Sequence, residues 1–181
     1  MRISRNIREK IKSKLGVCLD VGCGQNKQPN FLGMDKRKVP GVDILHDAEV
    51  SPWPLPDSIC NKILCSHIYE HIKPWVSIDF MNECWRVMKP GGQLLISTPY
   101  ATSHGFYQDP THCNPANEST WTYFDPAHFL WKIYKPKPWK IIRNAFQMIG
   151  NMEIILEKRS LAEIEGVLKS GQLKIKDKKK K

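Results

Sequence analysis

The residues best suited to chemistry in the first half of the chain are a carboxylate and two glycines after a short apolar run. Residues 17–21 form that run, which carries Asp20 and leads into Gly22, Cys23 and Gly24. Such a run predicts a strand buried on both faces of a parallel sheet. The glycines let the backbone turn tightly and approach a ligand, because no Cβ stands in the way. Ligands of open α/β sheets bind at the carboxyl ends of strands, so this turn is a candidate binding site. An ordinary strand-to-turn junction is the alternative.

Two more acids follow predicted strands, which places them at the same edge of the sheet. Asp35 ends the run at residues 31–34, and Asp47 follows the run at residues 42–45. The segment 22–30 is shorter than the roughly 10–12 residues of a crossover with its own helix. We therefore expect one helical turn or a plain loop in place of the first helix.

Side chains that could move a proton follow the fourth and fifth predicted strands, at residues 60–65 and 93–97. They are Ser66, His67, Glu70, His71, Ser103, His104, Asp109, Thr111 and His112. A role for Glu70 and His71 in capping or bracing the next helix, predicted over residues 75–88, is favoured over a catalytic one.

A zinc site built from Cys60, Cys65, His67 and His71 is the less favoured interpretation of those residues. Structural zinc ligands come in pairs two to four residues apart on a turn. The two cysteines instead bracket a strand and point to opposite faces of it. We interpret them as buried thiols and expect no metal site.

Strands alternate with helical stretches along the chain, which predicts an α/β fold with a doubly wound, mostly parallel sheet. The motif Lys89-Pro90-Gly91-Gly92 is expected to end the long helix. Strand-like runs at 139–148 and 152–158 meet at Gly150-Asn151, which predicts an antiparallel C-terminal hairpin. The sheet then has seven strands in a single domain over residues 15–171. Short helices are expected over residues 127–134 and 161–168.

The net charge of +10 comes from the two ends of the chain. Residues 1–14 and 172–181 each hold six basic residues and one acid, and the body between them is neutral. Isoleucine or leucine at every fourth position predicts an amphipathic helix over residues 1–14, and we expect this helix to cap the sheet rather than to lie on a membrane. The lysine-rich residues 172–181 are expected to be a disordered tail. Binding of nucleic acid through these basic ends is the alternative.

The composition otherwise indicates a cytoplasmic protein without a membrane anchor. No apolar stretch approaches the roughly 20 residues that span a bilayer, and we expect no secretory signal behind the N-terminal arginines. The six cysteines lie in core-like segments, as reduced thiols do, and not in the spacing of a disulfide framework.

Four features in register resemble the class I S-adenosylmethionine-dependent methyltransferases, and above all the small members with the methyltransferase type-11 pattern. They are the Asp20-x-Gly22-x-Gly24 turn, Asp35, Asp47 and Lys89-Pro90-Gly91-Gly92. The resemblance covers about residues 15–100. A nicotinamide-binding Rossmann domain needs a third glycine three positions after the second, where this chain has Lys27.

The resemblance implies S-adenosylmethionine as cofactor. The cofactor-binding residues that it implies are Asp20, Gly22, Cys23, Gly24, Asp35, Lys36, Asp47, Ala48, Ser66 and His67. Asp20 and the glycine turn suit the methionine end, and Asp35 suits the ribose hydroxyls. The stem of Lys36 could cover the adenine, and Asp47 could accept a hydrogen bond from the adenine amino group. The alternative for Asp47 is a turn-forming role. With the first helix missing, Gln25 or Lys27 could replace helix-end amides at the cofactor's carboxylate.

Methyl transfer needs a general base only if the acceptor must lose a proton as it attacks. The Asp109-Pro110-Thr111-His112 segment is expected to overhang the cofactor, and it resembles a loop of methyltransferases that act on sugars or phosphorylated ends. His112 is our preferred base, with Asp109 and His67 as the other catalytic candidates.

The acceptor is not identified from the sequence, and neither is the oligomeric state. An inactive cofactor-binding module remains a second possibility for the function. Aromatic residues in the same region could stack on a base or sugar or could pack a lid. They are Tyr107, Trp121, Tyr123 and Phe124.

Overall fold

The fold is built on one seven-stranded sheet of order β3-β2-β1-β4-β5-β7-β6. This computed structural model describes residue 9, residues 16–147 and residues 150–178, with side chains up to residue 170. The strands are β1 (Val17–Val21), β2 (Leu32–Asp35), β3 (Ile44–Leu45), β4 (Cys60–Ser66), β5 (Met88–Pro99), β6 (Trp139–Gln147) and β7 (Asn151–Lys158). The helices are α1 (Ser77–Val87), α2 (His104–Tyr107), α3 (Glu118–Thr122), α4 (Trp131–Tyr134) and α5 (Leu161–Lys178), with a 3-10 turn at Tyr69–His71.

The first five strands are parallel, and the last two form an antiparallel hairpin against β5. The central strand β1 pairs with β2 on one side and β4 on the other, so most of its residues are buried. This confirms the predicted fold class. The parallel pairing also aligns the carboxyl ends of β1, β2, β3 and β4 along one edge of the sheet.

The crossover between β1 and β2 contains no helix, as its length predicts. The helix α1 covers the connection from β4 to β5 and buries Phe80, Met81 and Cys84 against the sheet. Edge-on ring contacts of Phe80 with Trp53 and Tyr69, at centroid distances of 5.8 and 6.4 Å, continue that core.

Some boundaries differ from those predicted. The fifth strand begins at Met88, so Lys89-Pro90-Gly91-Gly92 lies within β5 as well as after α1. Cys60 pairs with Met88 and Lys62 with Gln93, so an irregularity in the β4–β5 pairing takes up the extra residues. The helix α5 runs to Lys178, into the segment expected to be a disordered tail.

The basic helix expected over residues 1–14 lies outside the described residues, except for the helical residue Glu9. Among the residues that the structure describes, no helix combines the length and the apolar character needed to cross a bilayer.

A buried ion pair fastens the segment after α3 to the hairpin. Arg159 donates to the Asp125 carboxylate at 2.7 Å and to the Trp139 carbonyl at 3.1 Å. Both charged side chains are nearly excluded from water, with 8% and 13% exposed. A buried charge that loses its partner has no water to replace it, so each of these residues depends on the other.

We expect Arg159→Met to lower the free energy of unfolding by about 3–5 kcal/mol, because it leaves the buried Asp125 carboxylate uncompensated. The matched control is Arg143→Met, which removes the exposed Arg143–Glu153 pair on the same hairpin and should cost about 0–1 kcal/mol. Chemical denaturation measures both. Equal losses in the two variants would contradict the assigned role of the buried pair.

Candidate active site

A cavity of about 450 Å³ opens at the carboxyl edge of the sheet, over the ends of β1, β2, β3 and β4. Its volume is within the roughly 300–1,000 Å³ range of small-molecule sites. The lining residues that the sequence predicts for a cofactor are Gly22, Asp35, Lys36, Asp47, Ala48 and His67. The structure therefore brings the acids that end β2 and follow β3 into one cleft, although they are twelve positions apart.

Asp35 is the most constrained acid of this cavity. One carboxylate oxygen accepts the Gly24 N–H at 2.9 Å, and the other accepts the N–H and Nε of Arg37 at 2.7 and 3.2 Å. Burial alone would raise the pKa of Asp35, but the bonds from Arg37 and Gly24 bring it below its ordinary value. The carboxylate is therefore ionised at neutral pH and accepts only. A diol at this position can replace the exposed Arg37 side chain and leave both backbone bonds in place.

Four residues predicted to bind the cofactor border neither this cavity nor the one described below: Asp20, Cys23, Gly24 and Ser66. Asp20 is buried and accepts the Gln28 N–H at 2.8 Å, so it holds the loop that replaces the first helix. Burial raises the pKa of Asp20, and it raises the pKa of the Cys23 thiol to about 11. Lys27, which was considered for the cofactor's carboxylate, instead forms an ion pair with Asp43, with Nζ and Oδ2 2.7 Å apart.

Gly22 lets the Ile68 side chain, from the turn after β4, pack closely over the end of β1. Its φ is +69°, and an added Cβ would lie 2.8 Å from the Ile68 side chain. His67, just before Ile68, also has a left-handed backbone, with φ of 52°, which is uncommon for a residue other than glycine. The turn after β4 is therefore held in a particular shape between the two cavities.

The far wall of the first cavity contains contacts that the sequence does not reveal. Asp47 accepts the Glu49 N–H at 3.0 Å, so it forms the turn considered for it while also lining the cavity. Glu49 in turn binds the N–H and Nζ of Lys73, at 2.7 and 2.6 Å. Ala48 is buried, and its carbonyl accepts from Trp53. The Glu49–Lys73 pair joins the loop after β3 to the turn before α1.

A second cavity, of about 420 Å³, adjoins the first. His67 and His71 line both. The other residues of the second cavity are Glu70, Pro99, Gly105, Gln108, Asp109, His112, Gly150 and Asn151. It lies between the ends of β4 and β5 and the segment that follows β5, and its lining includes several of the side chains that could move a proton.

Glu70 is fully buried and braces the second cavity. Its carboxylate accepts from the Thr98 hydroxyl at 3.1 Å and lies 3.1 Å from Nδ1 of His67. That bond raises the pKa of His67. The expectation that Glu70 and His71 cap the helix is wrong, because α1 begins after Val76, with no side-chain cap. Glu70 instead braces β5, because the turn Tyr69–His71 directs its side chain inward.

The Asp109-Pro110-Thr111-His112 loop is bound to that same turn. The N–H groups of Cys113 and Asn114 donate to the Glu70 carbonyl at 2.8 and 3.1 Å. Within the loop, Asp109 accepts the N–H and hydroxyl of Thr111 at 2.8 and 2.7 Å, and these bonds lower the pKa of Asp109. Thr111 of this loop and Cys113 just after it border the first cavity.

His112 is nearly buried, with only 7% of its side chain exposed. Its Nδ1 is 2.8 Å from the Phe106 carbonyl, and its ring packs on those of His71 and Phe106. Its Nε2 is 3.8 Å from Asp109. Two other predicted candidates, Ser103 and His104, begin α2 outside both cavities, and Ser103 caps that helix.

The four aromatic residues differ in burial. Trp121 and Phe124 are buried in the core, whereas Tyr107 is 73% exposed and Tyr123 packs on the core from outside. Stacking of Trp121 or Phe124 on a ligand would require them to leave the core.

The parallel sheet with an antiparallel last hairpin and a cleft over the ends of β1 and β2 is the fold of the class I S-adenosylmethionine-dependent methyltransferases. An Archaeoglobus fulgidus structure described as a SAM-dependent methyltransferase aligns with a TM-score of 0.58 at 20% identity, covering 85% of this chain and 90% of that one. A SAM-dependent methyltransferase from Aquifex aeolicus aligns with a TM-score of 0.56 at 16% identity, covering 84% and 88%.

A family model described as a methyltransferase domain matches residues 2–147. The chain therefore belongs to the methyltransferase domain family, whose cofactor is S-adenosylmethionine. A curated relative from Mycolicibacterium smegmatis, named a probable S-adenosylmethionine-dependent methyltransferase, is 31% identical in an alignment over 98 residues, with 45% of this chain and 37% of that protein covered. The chain spans about a third of the length of the curated relatives it matches.

The contact between Gly22 and Ile68 gives a test of the first cavity. Gly22→Ala should destabilise the fold and weaken binding of S-adenosylmethionine by at least about tenfold, because the new Cβ strains the backbone and pushes Ile68 toward the cavity. Thermal unfolding and isothermal titration calorimetry measure the two effects.

Gly91→Ala is the matched control, since Gly91 has a similar φ of +75° but no atom within 4 Å of an added Cβ. It should show only the backbone strain of about 1–2 kcal/mol and unchanged cofactor binding. If both variants bind the cofactor as the unsubstituted protein does, the Ile68 contact does not shape the site.

Proposed function

We propose that the chain transfers a methyl group from S-adenosylmethionine to an acceptor bound in the second cavity. The observation that carries this proposal is the meeting of two cavities at His67 and His71. The first offers spaced carboxylates to an adenosyl group, and the second offers titratable side chains to an acceptor. A sulfonium methyl at their junction would face both.

In the first cavity, we place the ribose on Asp35 and the adenine between Lys36 and Asp47. Asp35 supports this placement because it is ionised and ends a strand at the cleft. The methionine end would then run over Gly22 toward His67. The loop held by Asp20 lies beneath it, and the backbone of this loop replaces the helix end that other Rossmann-like folds use.

The proposed reaction is an in-line displacement. A lone pair of the acceptor attacks the methyl carbon, the carbon–sulfur bond breaks, and its electron pair stays on sulfur in S-adenosylhomocysteine. The protein's part is to align the two reactants and exclude water. If the attacking atom carries a proton, a nearby base must take it as the new bond forms.

We assign that proton to His67, one of the three catalytic candidates from the sequence. Glu70 holds Nδ1 of His67, so Nε2 is the nitrogen left to accept. His67 also borders both cavities, whereas Asp109 and His112 border only the second. We place Asp109 and His112 around the acceptor instead.

The second cavity favours a polar acceptor. Two of its lining residues are glycines, which bring backbone close to a ligand, and all the others except Pro99 carry a carboxyl, imidazole or amide group. We also propose a cytoplasmic location, because the six cysteines are all free, as is usual in a reducing compartment.

The cofactor placement is tested by Asp35→Ala. We expect it to weaken S-adenosylmethionine binding by about 10- to 100-fold in isothermal titration calorimetry, because hydrogen bonds to a charged group contribute about 1.5–3 kcal/mol. Asp79→Ala removes an exposed acid of α1 outside the cavity and is the control that should bind normally. Unchanged affinity in the Asp35 variant would remove the ribose from this carboxylate.

Transfer itself is tested with labelled S-adenosylmethionine and lysate separated into nucleic acid, protein, lipid-linked sugar and small-molecule fractions. Label should enter one fraction with the unsubstituted protein, and His67→Gln should lower that rate by at least about 100-fold when S-adenosylmethionine is saturating. Glutamine can still donate to Glu70 but cannot take a proton. Cofactor binding without transfer into any fraction would favour the inactive module.

A further inference from the structure

The loop at residues 109–112 brings an imidazole to a carboxylate and an imidazole that are neighbours in the turn Tyr69–His71. Glu70, His71 and His112 each offer a ligand atom within 4.8 Å of the others. They meet because Cys113 and Asn114 hydrogen-bond to the Glu70 carbonyl, which fixes the loop to the turn. All three line the second cavity.

The hydrogen bonds of the two histidines leave the same nitrogen free in each. Nδ1 of His112 faces a carbonyl oxygen of Phe106, which can only accept, so Nδ1 carries the proton. Thr111 gives its hydroxyl proton to Asp109, so the Nδ1 of His71, 3.1 Å from that hydroxyl, donates to it. The Nε2 lone pairs of both rings are thereby available to a ligand.

This is how metal-binding histidines are usually held, with one ring nitrogen donating to a carbonyl, carboxylate or hydroxyl and the other bound to the ion. The carboxylate is prepared in the same way. Glu70 is fully buried, and the Thr98 hydroxyl and His67 orient its two oxygens. A buried carboxylate beside two imidazoles offers a cation both a negative charge and nitrogen donor atoms.

We propose that Glu70, His71 and His112 bind a divalent transition-metal cation in the wall of the second cavity. Two imidazoles and one carboxylate are a donor set that zinc and iron accept, with positions left open for water or substrate. Ligand atoms on a tetrahedral zinc ion with bonds of about 2.1 Å lie about 3.4 Å apart. The ligand atoms of the three residues lie within 4.8 Å of one another, so each separation must shorten by at most about 1.4 Å to reach that spacing.

The position of the cluster also suggests a use, which rests on the proposed function. The open positions of the cation would face the cavity shared with Asp109, whose Oδ2 is 3.8 Å from Nε2 of His112. A cation there would bind an oxygen of the acceptor and favour loss of its proton. The proton would pass to His67, and the bound oxygen would attack the methyl carbon as described above.

The test of the site is metal binding by the full chain after treatment with a chelator. Cobalt(II) is the spectroscopic probe and zinc(II) the calorimetric one. We expect one cobalt per chain, with visible d–d bands of nitrogen and oxygen ligands. His71→Ala and His112→Ala should each weaken binding by at least about 100-fold, given that loss of even an outer-shell partner costs 10- to 100-fold.

His128→Ala is the matched control, since His128 borders neither cavity and its removal should leave cobalt binding unchanged. Circular dichroism establishes that each variant is folded. A chain that binds no stoichiometric metal, or binds it equally well without His71, would overturn the site. So would a thiolate-to-cobalt charge-transfer band, which would assign the ion to a cysteine. Cofactor affinity, measured separately, tests the proposed function independently of this site.

Discussion

Glu70 is the residue on which the geometry of the carboxyl edge depends most. A fully buried carboxyl group is costly unless its oxygens are hydrogen-bonded, and here Thr98 and His67 provide those bonds. Its backbone carbonyl meanwhile accepts the two N–H groups of Cys113 and Asn114. One residue therefore connects β5, the turn after β4 and the overhanging loop. The second cavity exists because these three segments meet there.

The first cavity depends on a different use of carboxylates. In many nucleotide-binding folds, a helix N-terminus after β1 supplies N–H groups to an anionic part of the ligand. This chain has a loop there, and acids at two strand ends bind its backbone: Asp20 accepts from Gln28, and Asp35 accepts from Gly24. The residues that the family resemblance assigns to the cofactor thus also hold the loop. Asp35 can serve both roles because only its Arg37 side-chain contacts need to yield.

The sequence was informative where position along a strand determines position in space. Parallel strands place their carboxyl ends at one edge, so Asp35 and Asp47 could be assigned to a common cleft before any contact was known. The short crossover could be predicted from length alone. The same local reasoning misplaced the start of β5, because Lys89-Pro90-Gly91-Gly92 reads as a stop signal, whereas the irregular pairing with β4 absorbs it.

The contacts that sequence reasoning missed are long-range or depend on side-chain direction. Thr98 binds Glu70 across 28 positions, and Thr111 meets His71 across 40. No spacing rule reports such pairs, and so the capping role expected for Glu70 failed. Arg37 was overlooked in favour of its neighbour Lys36 because both are basic, and only the structure shows which one turns back on Asp35.

The two cavities therefore have different physical origins, so a change of sequence can alter the shape of one and leave the other intact. The first is formed largely by strand ends and the residues next to them, which the sheet register fixes. The second is formed by a turn, a loop and the hairpin end at Gly150 and Asn151, whose positions depend on a few hydrogen bonds. Changes in those loops can reshape the second cavity without moving the strands beneath the first. His67 and His71 are the exceptions, because they border both cavities, and the left-handed backbone of His67 leaves few residues that could replace it without strain.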